Sequence, residues 1–370
     1  MKFLIITHTS HIVKNQSYYA YEPYVREMNL WMRNVSKIHI VAPIKTEPIP
    51  TIFSSYESKV NRFTKVPSIS FISFFEALKA IFSIPLLFLR VSSAMQKTDH
   101  IHLRCPGIIG LIGCFAQIFF PKKSKTVKYA GNWDPQSKQP LSYKIQKWIV
   151  SNTFLTKNCK VLVYGEWKEQ SDNIRPFFTA SYTTSQINTS LTKEISSPFH
   201  FLFVGSLVPG KRPLYAIKLV EKLLKNGIFC SLSIYGDGGL YSELKNYIET
   251  NNLSQSITLH GNQSRNVIIE AYKVGHFLIL PSKSEGWPKV VAEAMFWGCI
   301  PLATKISCVP WMLGKGKRGH ILTLSLDEDK QKVVTLLNER TQLETMSKEA
   351  QTWSHEYTLD SFEAAIKKLL

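Results

Sequence analysis

Two carboxylates, Glu285 and Glu293, stand seven residues apart by intervening count in Leu280-Pro281-Ser282-Lys283-Ser284-Glu285-Gly286-Trp287-Pro288-Lys289-Val290-Val291-Ala292-Glu293-Ala294-Met295. The apolar run that closes at Leu280 reads as a strand, and the polar residues after it as a loop. A helix is predicted to start near Pro288, where the missing proline N–H costs nothing. Glu285 then lies in the loop and Glu293 about one and a half turns into the helix. The N–H groups from Gly286 to Lys289 are expected to form a nest for anions and hydroxyls at the positive end of the helix dipole. One carboxylate near a sugar and a second placed for a ribose diol would suit a sugar nucleotide. By spacing alone, a helix with one acid for its dipole and one exposed Glu fits too, and such pairs are common by chance. A second chemical cluster, Lys211-Arg212, follows the apolar run His200–Val204. It reads as a basic turn, either solvated or aimed at an anion.

The elements that must position these groups alternate along the chain. Short β-branched runs separated by longer amphipathic segments are the pattern of parallel α/β units. Residues 3–6, 39–42, 100–103, 126–129 and 161–164 read as strands, and 21–33 and 72–95 have helical character. A Ser/Thr-rich stretch, 179–197, reads as a linker or irregular edge. A second series follows at once: strands at 200–204, 230–235, 257–260 and 276–280, and helices at 214–226, 240–250, 267–274 and 359–370. Gly227 stops the first of those helices. At 370 residues about two domains are expected. We place them at 1–195 and 196–355, with a terminal helix, 356–370, packing back towards the first. In such sheets ligands bind at the carboxyl ends of the strands, which is where both chemical clusters lie.

The context of the glutamates is more specific than their spacing. Ser284-Glu285-Gly286-Trp287-Pro288, Glu293-Ala294-Met295 and Gly298-Cys299-Ile300-Pro301-Leu302-Ala303-Thr304 together resemble the donor-site signature of retaining GT-B glycosyltransferases. The family is the glycogen-synthase-like "group 1", here of the bacterial polysaccharide-assembly type. The resemblance covers roughly residues 200–320, and the first half only in architecture. It implies a GT-B fold, two Rossmann-like doubly wound domains facing across a cleft. It implies sugar transfer from a nucleoside-diphosphate sugar to a lipid-linked or polysaccharide acceptor, with retention of configuration and without an obligatory metal or cofactor. Glu285 would then contact donor-sugar hydroxyls and Glu293 the ribose, with backbone donors from Gly286, Trp287, Pro288 and Lys289. The leaving diphosphate would be stabilised by protein cations. Phe203-Val204-Gly205-Ser206-Leu207-Val208-Pro209-Gly210-Lys211-Arg212 resembles the family's V-G-R-L-x-x-x-K-G segment. Lys211 falls on the family lysine, while Ser206 stands where the arginine usually is and Arg212 follows the lysine. Lys211 and Arg212 are therefore assigned the diphosphate, with Gly205 and Ser206 lining the same turn. Gly236-Asp237-Gly238-Gly239 reads as a structural turn, and His260-Gly261-Asn262 opens the loop that the family places near the base.

The first half is less explicit. No glycine follows the first strand, where Thr7-His8-Thr9-Ser10-His11 stands, and Ala130 occupies the position at which the family often carries a histidine. His8, His11, Asn132 and Asp134 are the polar candidates for the acceptor side. Each also has a plain structural reading. Arg104 fits a phosphate and a fold-stabilising ion pair equally well. Asp327-Glu328-Asp329 spells D-x-D but reads as charge at a helix start, not a metal site. Two other readings stay open. One is a catalytically silent nucleotide-sugar-binding protein, motivated by Ser206 and Ala130. The other, disfavoured by the Glu-x₇-Glu context, is a sugar-nucleotide epimerase.

Charge narrows the partners. The net charge is +18, and residues 1–200 hold 25 basic against 11 acidic side chains, so an anionic partner is expected on that half. Three stretches, 71–91, 108–125 and 141–160, mix apolar residues with Lys or Arg and suit an anionic membrane surface as well as basic-faced core helices. The 71–91 run is broken by Glu76, Lys79, Pro85 and Arg90 and is not read as a spanning helix. Nucleic acid is not expected, since no binding motif or basic–aromatic interleaving is found. Six scattered cysteines read as buried free thiols. These features point to a cytoplasmic protein, with peripheral attachment to the inner face of a membrane as an option.

Overall fold

The computed structural model describes the chain except residues 51, 70–73 and 188–192, and except the side chains of 74–81. It divides into two compact units, residues 1–178 with 363–370, and residues 179–362. The division comes earlier than the boundary at 195/196 expected from composition. The reason is local bonding. In the stretch read as a linker, the Ser181 hydroxyl donates to Glu293, Arg265 donates to the Ser181 carbonyl, and the Leu359 N–H donates to the Tyr182 carbonyl.

In the first unit the order is β1 Lys2–Ile6, β2 His11–Lys14, β3 Ser17–Tyr21, α1 Glu22–Met32, β4 Lys37–Lys45, β5 Phe53–Ser55, β6 Arg62–Val66 and α2 Phe74–Gln96. It continues with β7 His100–Cys105, α3 Ile108–Ala116, β8 Ser124–Tyr129, α4 Leu141–Ser151, β9 Cys159–Tyr164 and β10 Ile174–Phe177. The sheet runs β10-β9-β8-β7-β1-β4, with β6 also pairing β4 in parallel. The antiparallel ribbon β2-β3-β5 extends it beyond β4. Its strands are near-continuous apolar runs because helices cover both faces: Phe3, Leu4, Ile5 and Ile6 are all fully buried. The ribbon and β6 were not foreseen, being short, half-exposed and polar. Among the basic residues, Arg104, Lys125 and Lys128 turn out buried. Lys128 donates to the Phe178 carbonyl at 2.8 Å and lies over the Tyr164 and Phe177 rings.

The second unit holds β11 Phe199–Val204, α5 Pro213–Lys225, β12 Cys230–Tyr235, α6 Tyr241–Thr250, β13 Ile257–Gly261, α7 Arg265–Val274 and β14 Phe277–Leu280. After these come α8 Lys289–Phe296, β15 Ile300–Thr304, α9 Val309–Met312, β16 His320–Leu322, α10 Leu326–Leu337, α11 Arg340–His355 and α12 Leu359–Lys367. All its strand pairs are parallel, in the order β13-β12-β11-β14-β15-β16. The order reverses at β11, whose neighbours are β12 and β14, and the carboxyl ends of β11 and β14 form the switch point at which such sheets bind ligands. Its core interleaves Phe201, Phe203, Leu219, Ile234, Phe277 and Ile279, all 0% exposed. Each such side chain contributes about 1.5–3 kcal/mol by leaving water. The first helix ends at Gly227 as read, and the last helix bridges the division, its final residues counting with the first unit.

Candidate active site

The loop after β14 leads into α8, which begins at Lys289 with Pro288 as its cap, one residue later than expected. Pro288 has no N–H, so it drops out of the set of backbone donors there. Glu293 lies about one turn into the helix. At its other end Gly298, at φ +77°, lets the chain reverse: its N–H bonds to the Met295 carbonyl and that of Cys299 to Ala294. This paired bonding is a Schellman stop, the physical content of the Gly298–Pro301 part of the signature. Thr304 and Ser307 hydroxyls then donate to the carbonyls of Ser282 and Gly286, each at 2.6 Å, and hold the loop from the next strand end.

The loop after β11 is fixed just as tightly. Gly236, at φ +141°, lies against it so closely that a Cβ there would stand 2.0 Å from the Gly205 carbonyl oxygen. Only glycine fits, so the Gly-Asp-Gly turn is a structural support for the neighbouring loop. Arg212 sits in the left-handed region, φ 52° and ψ 50°, immediately before α5. A non-glycine residue held there is costly, and its guanidinium is turned to the Pro281 carbonyl at 3.3 Å. The Lys283 N–H bonds to the Gly210 carbonyl at 2.8 Å. The two loops are thereby tied together, and the Lys211 ammonium forms an ion pair with Glu285. Their side chains are 28% and 13% exposed, shielded but open on one side.

Other candidates in this unit are sorted by the packing. Trp287 is 6% exposed, its ring among Trp311, Trp353 and Tyr357; its ring belongs to the core, leaving its backbone to the loop. Ser206 is exposed and Gly205 half-buried beside it. Glu293 accepts from Ser181 at 2.5 Å, and Tyr182 and Lys289 line the same small recess. Burial, with the Glu293 carboxylate next, pushes the Tyr182 phenol up. Ser181, Tyr182 and Arg265 were missed by sequence reasoning, because they come from a polar stretch and a helix with no signature. His260 stacks on Tyr235 with centroids 4.5 Å apart. Asp329 is fully buried and accepts from Thr323 and Leu324 N–H groups, so the D-x-D letters serve a helix start. Among the described residues no cluster of His, Cys, Asp and Glu could hold a metal ion.

In the first unit the sequence candidates part ways. His8 is exposed at the switch point between β1 and β7, its ring against Gly107, where a Cβ would come within 2.8 Å of Nδ1. His11, by contrast, is fully buried, bonded to the Thr9 carbonyl at 2.9 Å and the Tyr56 hydroxyl at 2.7 Å. Burial holds its pKa down at about 4, so it is a neutral core histidine, not an acceptor contact. Arg104 is 9% exposed and paired with Glu27, which decides for the ion pair over a phosphate. Asn132 and Asp134 fold their own loop: Asn132 Oδ1 accepts from the Asp134 N–H and Asp134 Oδ1 from that of Gln136. All six cysteines are buried and free.

Residues 191–353, the stretch that carries both loops, match the family described as "Glycosyl transferases group 1". This stretch, less than half of the chain, is where the match to the group 1 glycosyl transferases lies. It is similar to an uncharacterized glycosyltransferase of Methanocaldococcus jannaschii, 27% identical over 169 residues, or 45% of this chain and 46% of that one. A 112-residue stretch is 34% identical to the UDP-Gal:alpha-D-GlcNAc-diphosphoundecaprenol alpha-1,3-galactosyltransferase of Escherichia coli, covering 30% of this chain and 28% of that one. The match thus spans less than half the length of either relative. Over the whole chain the fold resembles that of the lipopolysaccharide outer core galactosyltransferase WaaB, with a TM-score of 0.69 at 14% identity, covering 100% and 99% of the two chains. Anabaena HepE in complex with UDP gives a TM-score of 0.68 at 15% identity, with the same coverage. The shared fold is GT-B.

Proposed function

We propose that this protein transfers a sugar from a nucleoside-diphosphate sugar to a glycan or lipid-linked acceptor, with retention of anomeric configuration and no obligatory metal. The observation that carries the reading is the junction of the two loops, where Lys211 meets Glu285, Arg212 turns to Pro281, and Glu293 stands on the adjoining helix. In the reaction the bond from the anomeric carbon to the diphosphate breaks, and charge gathers on the departing phosphate oxygens. Lys211 and Arg212 offset that charge in a partly shielded site, where cations act more strongly than in water. Glu285 orients the sugar through its hydroxyls, Glu293 takes the ribose diol, and the first turn of α8 favours the anion. Of the acceptor-side candidates His8 is exposed, and Asn132 and Asp134 are half-buried. Uridine is the base to test first, since HepE holds UDP and the E. coli relative is named for UDP-Gal. An acceptor on a lipid carrier would bring the protein to the inner face of a membrane.

The test is a panel of nucleotide sugars, with and without chelator, read by nucleoside diphosphate release and by thermal shift. One donor should be turned over equally with chelator present. If none is turned over and none raises the melting temperature, the reading fails. Stabilisation without release favours a silent nucleotide-sugar-binding protein, the alternative suggested by the exposed Ser206 in place of the family's arginine.

A further inference from the structure

One face of the first unit gathers several exposed apolar groups. The crossovers β6–α2–β7, β7–α3–β8 and β8–α4–β9 all advance across the sheet in the same direction. Right-handed crossovers place such helices on one face. These helices and the turns that follow them expose large apolar groups: Phe82 at 76%, Leu89 at 65%, Phe119 at 71%, Trp148 at 61% and Phe154 at 77%. Between α2 and α3 an open groove of about 650 Å³ is lined by Pro85, Phe88, Leu89, Ile112, Phe115 and Phe119. Scattered exposed apolar residues need no explanation, but several on one face together with an apolar groove mark a binding surface.

The patch is rigidly mounted at its lower rim. The turns that follow α2, α3 and α4 are bonded to one another: Lys123 donates to the Gln96 carbonyl at 2.9 Å, Gln117 to Thr156 at 2.9 Å and Asn158 to the Pro121 carbonyl at 2.9 Å. Phe119 and Phe154 project from these bonded turns. On α4, Leu141, Lys144 and Trp148 follow one another at helical spacing, and all three are exposed.

Charge identifies the occupant. From the start of α2 at Phe74 to residue 165 the sequence has 13 basic residues and three acidic ones, Glu76, Asp99 and Asp134. Arg104, Lys125 and Lys128 are spent in the interior, but Arg90, Lys122, Lys144 and Lys157 are exposed around the apolar groups. A protein partner with an apolar anchor would need only the groove. A wide apolar surface rimmed by cations and nearly free of acids matches a bilayer interface, which offers hydrocarbon below a layer of negative headgroups. No helix among the described residues is long and apolar enough to cross a membrane, so contact is from one side.

We infer that the outer face of α2, α3 and α4 docks on an anionic lipid bilayer, with Leu89, Phe119 and Phe154 entering the interface and Lys122, Lys144 and Lys157 meeting the headgroups. This deepens the acceptor reading above, yet its test requires no sugar transfer, so either can fail alone. Full-length protein is floated with vesicles of phosphatidylcholine, or of phosphatidylcholine with phosphatidylglycerol. Binding should need the anionic lipid and weaken with salt. Lys122→Glu/Lys157→Glu should weaken it more than tenfold, since each cation near such a surface contributes about a fivefold factor. Leu89→Glu/Phe119→Glu should abolish it while leaving the melting temperature and donor hydrolysis unchanged, because both side chains are already exposed. Failure of the wild type to bind anionic vesicles overturns the inference. So does equal binding by the apolar variant, or light scattering that shows this variant splitting a dimer, which would make the face a contact between copies of the chain.

Discussion

The Lys211–Glu285 pair makes an unusual demand on a variant: weakening the site should tighten one ligand. At a contact of about 3 Å and an effective dielectric near 20, two unit charges attract by about 5 kcal/mol before costs. Desolvation and side-chain ordering leave a net of about 1–2 kcal/mol for a pair exposed at 28% and 13%. A diphosphate that takes Lys211 must displace Glu285 and meet its negative charge. Glu285→Gln keeps the shape, removes the competitor and frees the ammonium. The affinity for the nucleoside diphosphate alone should therefore rise about five- to thirtyfold, since 1.4 kcal/mol is a factor of ten. Turnover of the intact donor should fall roughly a hundredfold, because the sugar loses a charged hydrogen-bond partner. Lys211→Ala should move both quantities downward, and in Lys211→Ala/Glu285→Gln the gain in diphosphate affinity should vanish. Calorimetric titration with UDP and a UDP-release assay read the two effects separately. Unchanged or weaker UDP binding by Glu285→Gln would refute the reasoning that the diphosphate and Glu285 compete for one lysine.

Glu293→Ala should weaken donor binding by about ten- to a hundredfold, the range for a lost charged hydrogen bond, with Ser181→Ala as a milder control; equal donor affinity in all three proteins removes Glu293 from the site. Gly236→Ala puts a methyl group 2.0 Å from the Gly205 oxygen at φ +141° and should cost about 3 kcal/mol or more in urea unfolding, a figure contradicted by a loss under about 0.5 kcal/mol. Burial holds His11, His39, His100 and His276 down at about 4. Their contribution is complete above the unfolded value of about 6.5 and is lost as pH falls from there towards 4, by up to about 1.4 kcal/mol per pH unit for each. The urea midpoint should therefore drop between pH 7 and pH 5, and a flat profile would mean that the imidazoles are not neutral in the fold.

Much of the donor half was legible in the sequence because its information is local. Proline near a helix start, glycine at its stop and a strand of buried aliphatics each act on near neighbours, so Glu285 and Glu293 could be placed on loop and helix from their flanks. The same holds for the alternation of strand and helix that gave two α/β units. His11 and Arg104 show the limit. Both lie at strand ends, where a polar side chain has two destinies. Only the fold decided that Tyr56 and Thr9 close around one and Glu27 around the other. Ser181 was invisible for a like reason: a serine in a polar stretch has no pattern, and its partner Glu293 is 112 residues away.

What the residues alone determined, then, is which chemistry is present: two carboxylates, two cations, and the strand ends that carry them. What the tertiary structure decided is which groups meet. Lys211 and Glu285 are 74 residues apart and touch because β11 and β14 are neighbours in the sheet. The exposed face of α2, α3 and α4 likewise exists only once three separate segments lie side by side. Spacing along the chain records periodicity within one element, whereas contact between elements depends on strand order, and strand order is fixed by packing of the whole core.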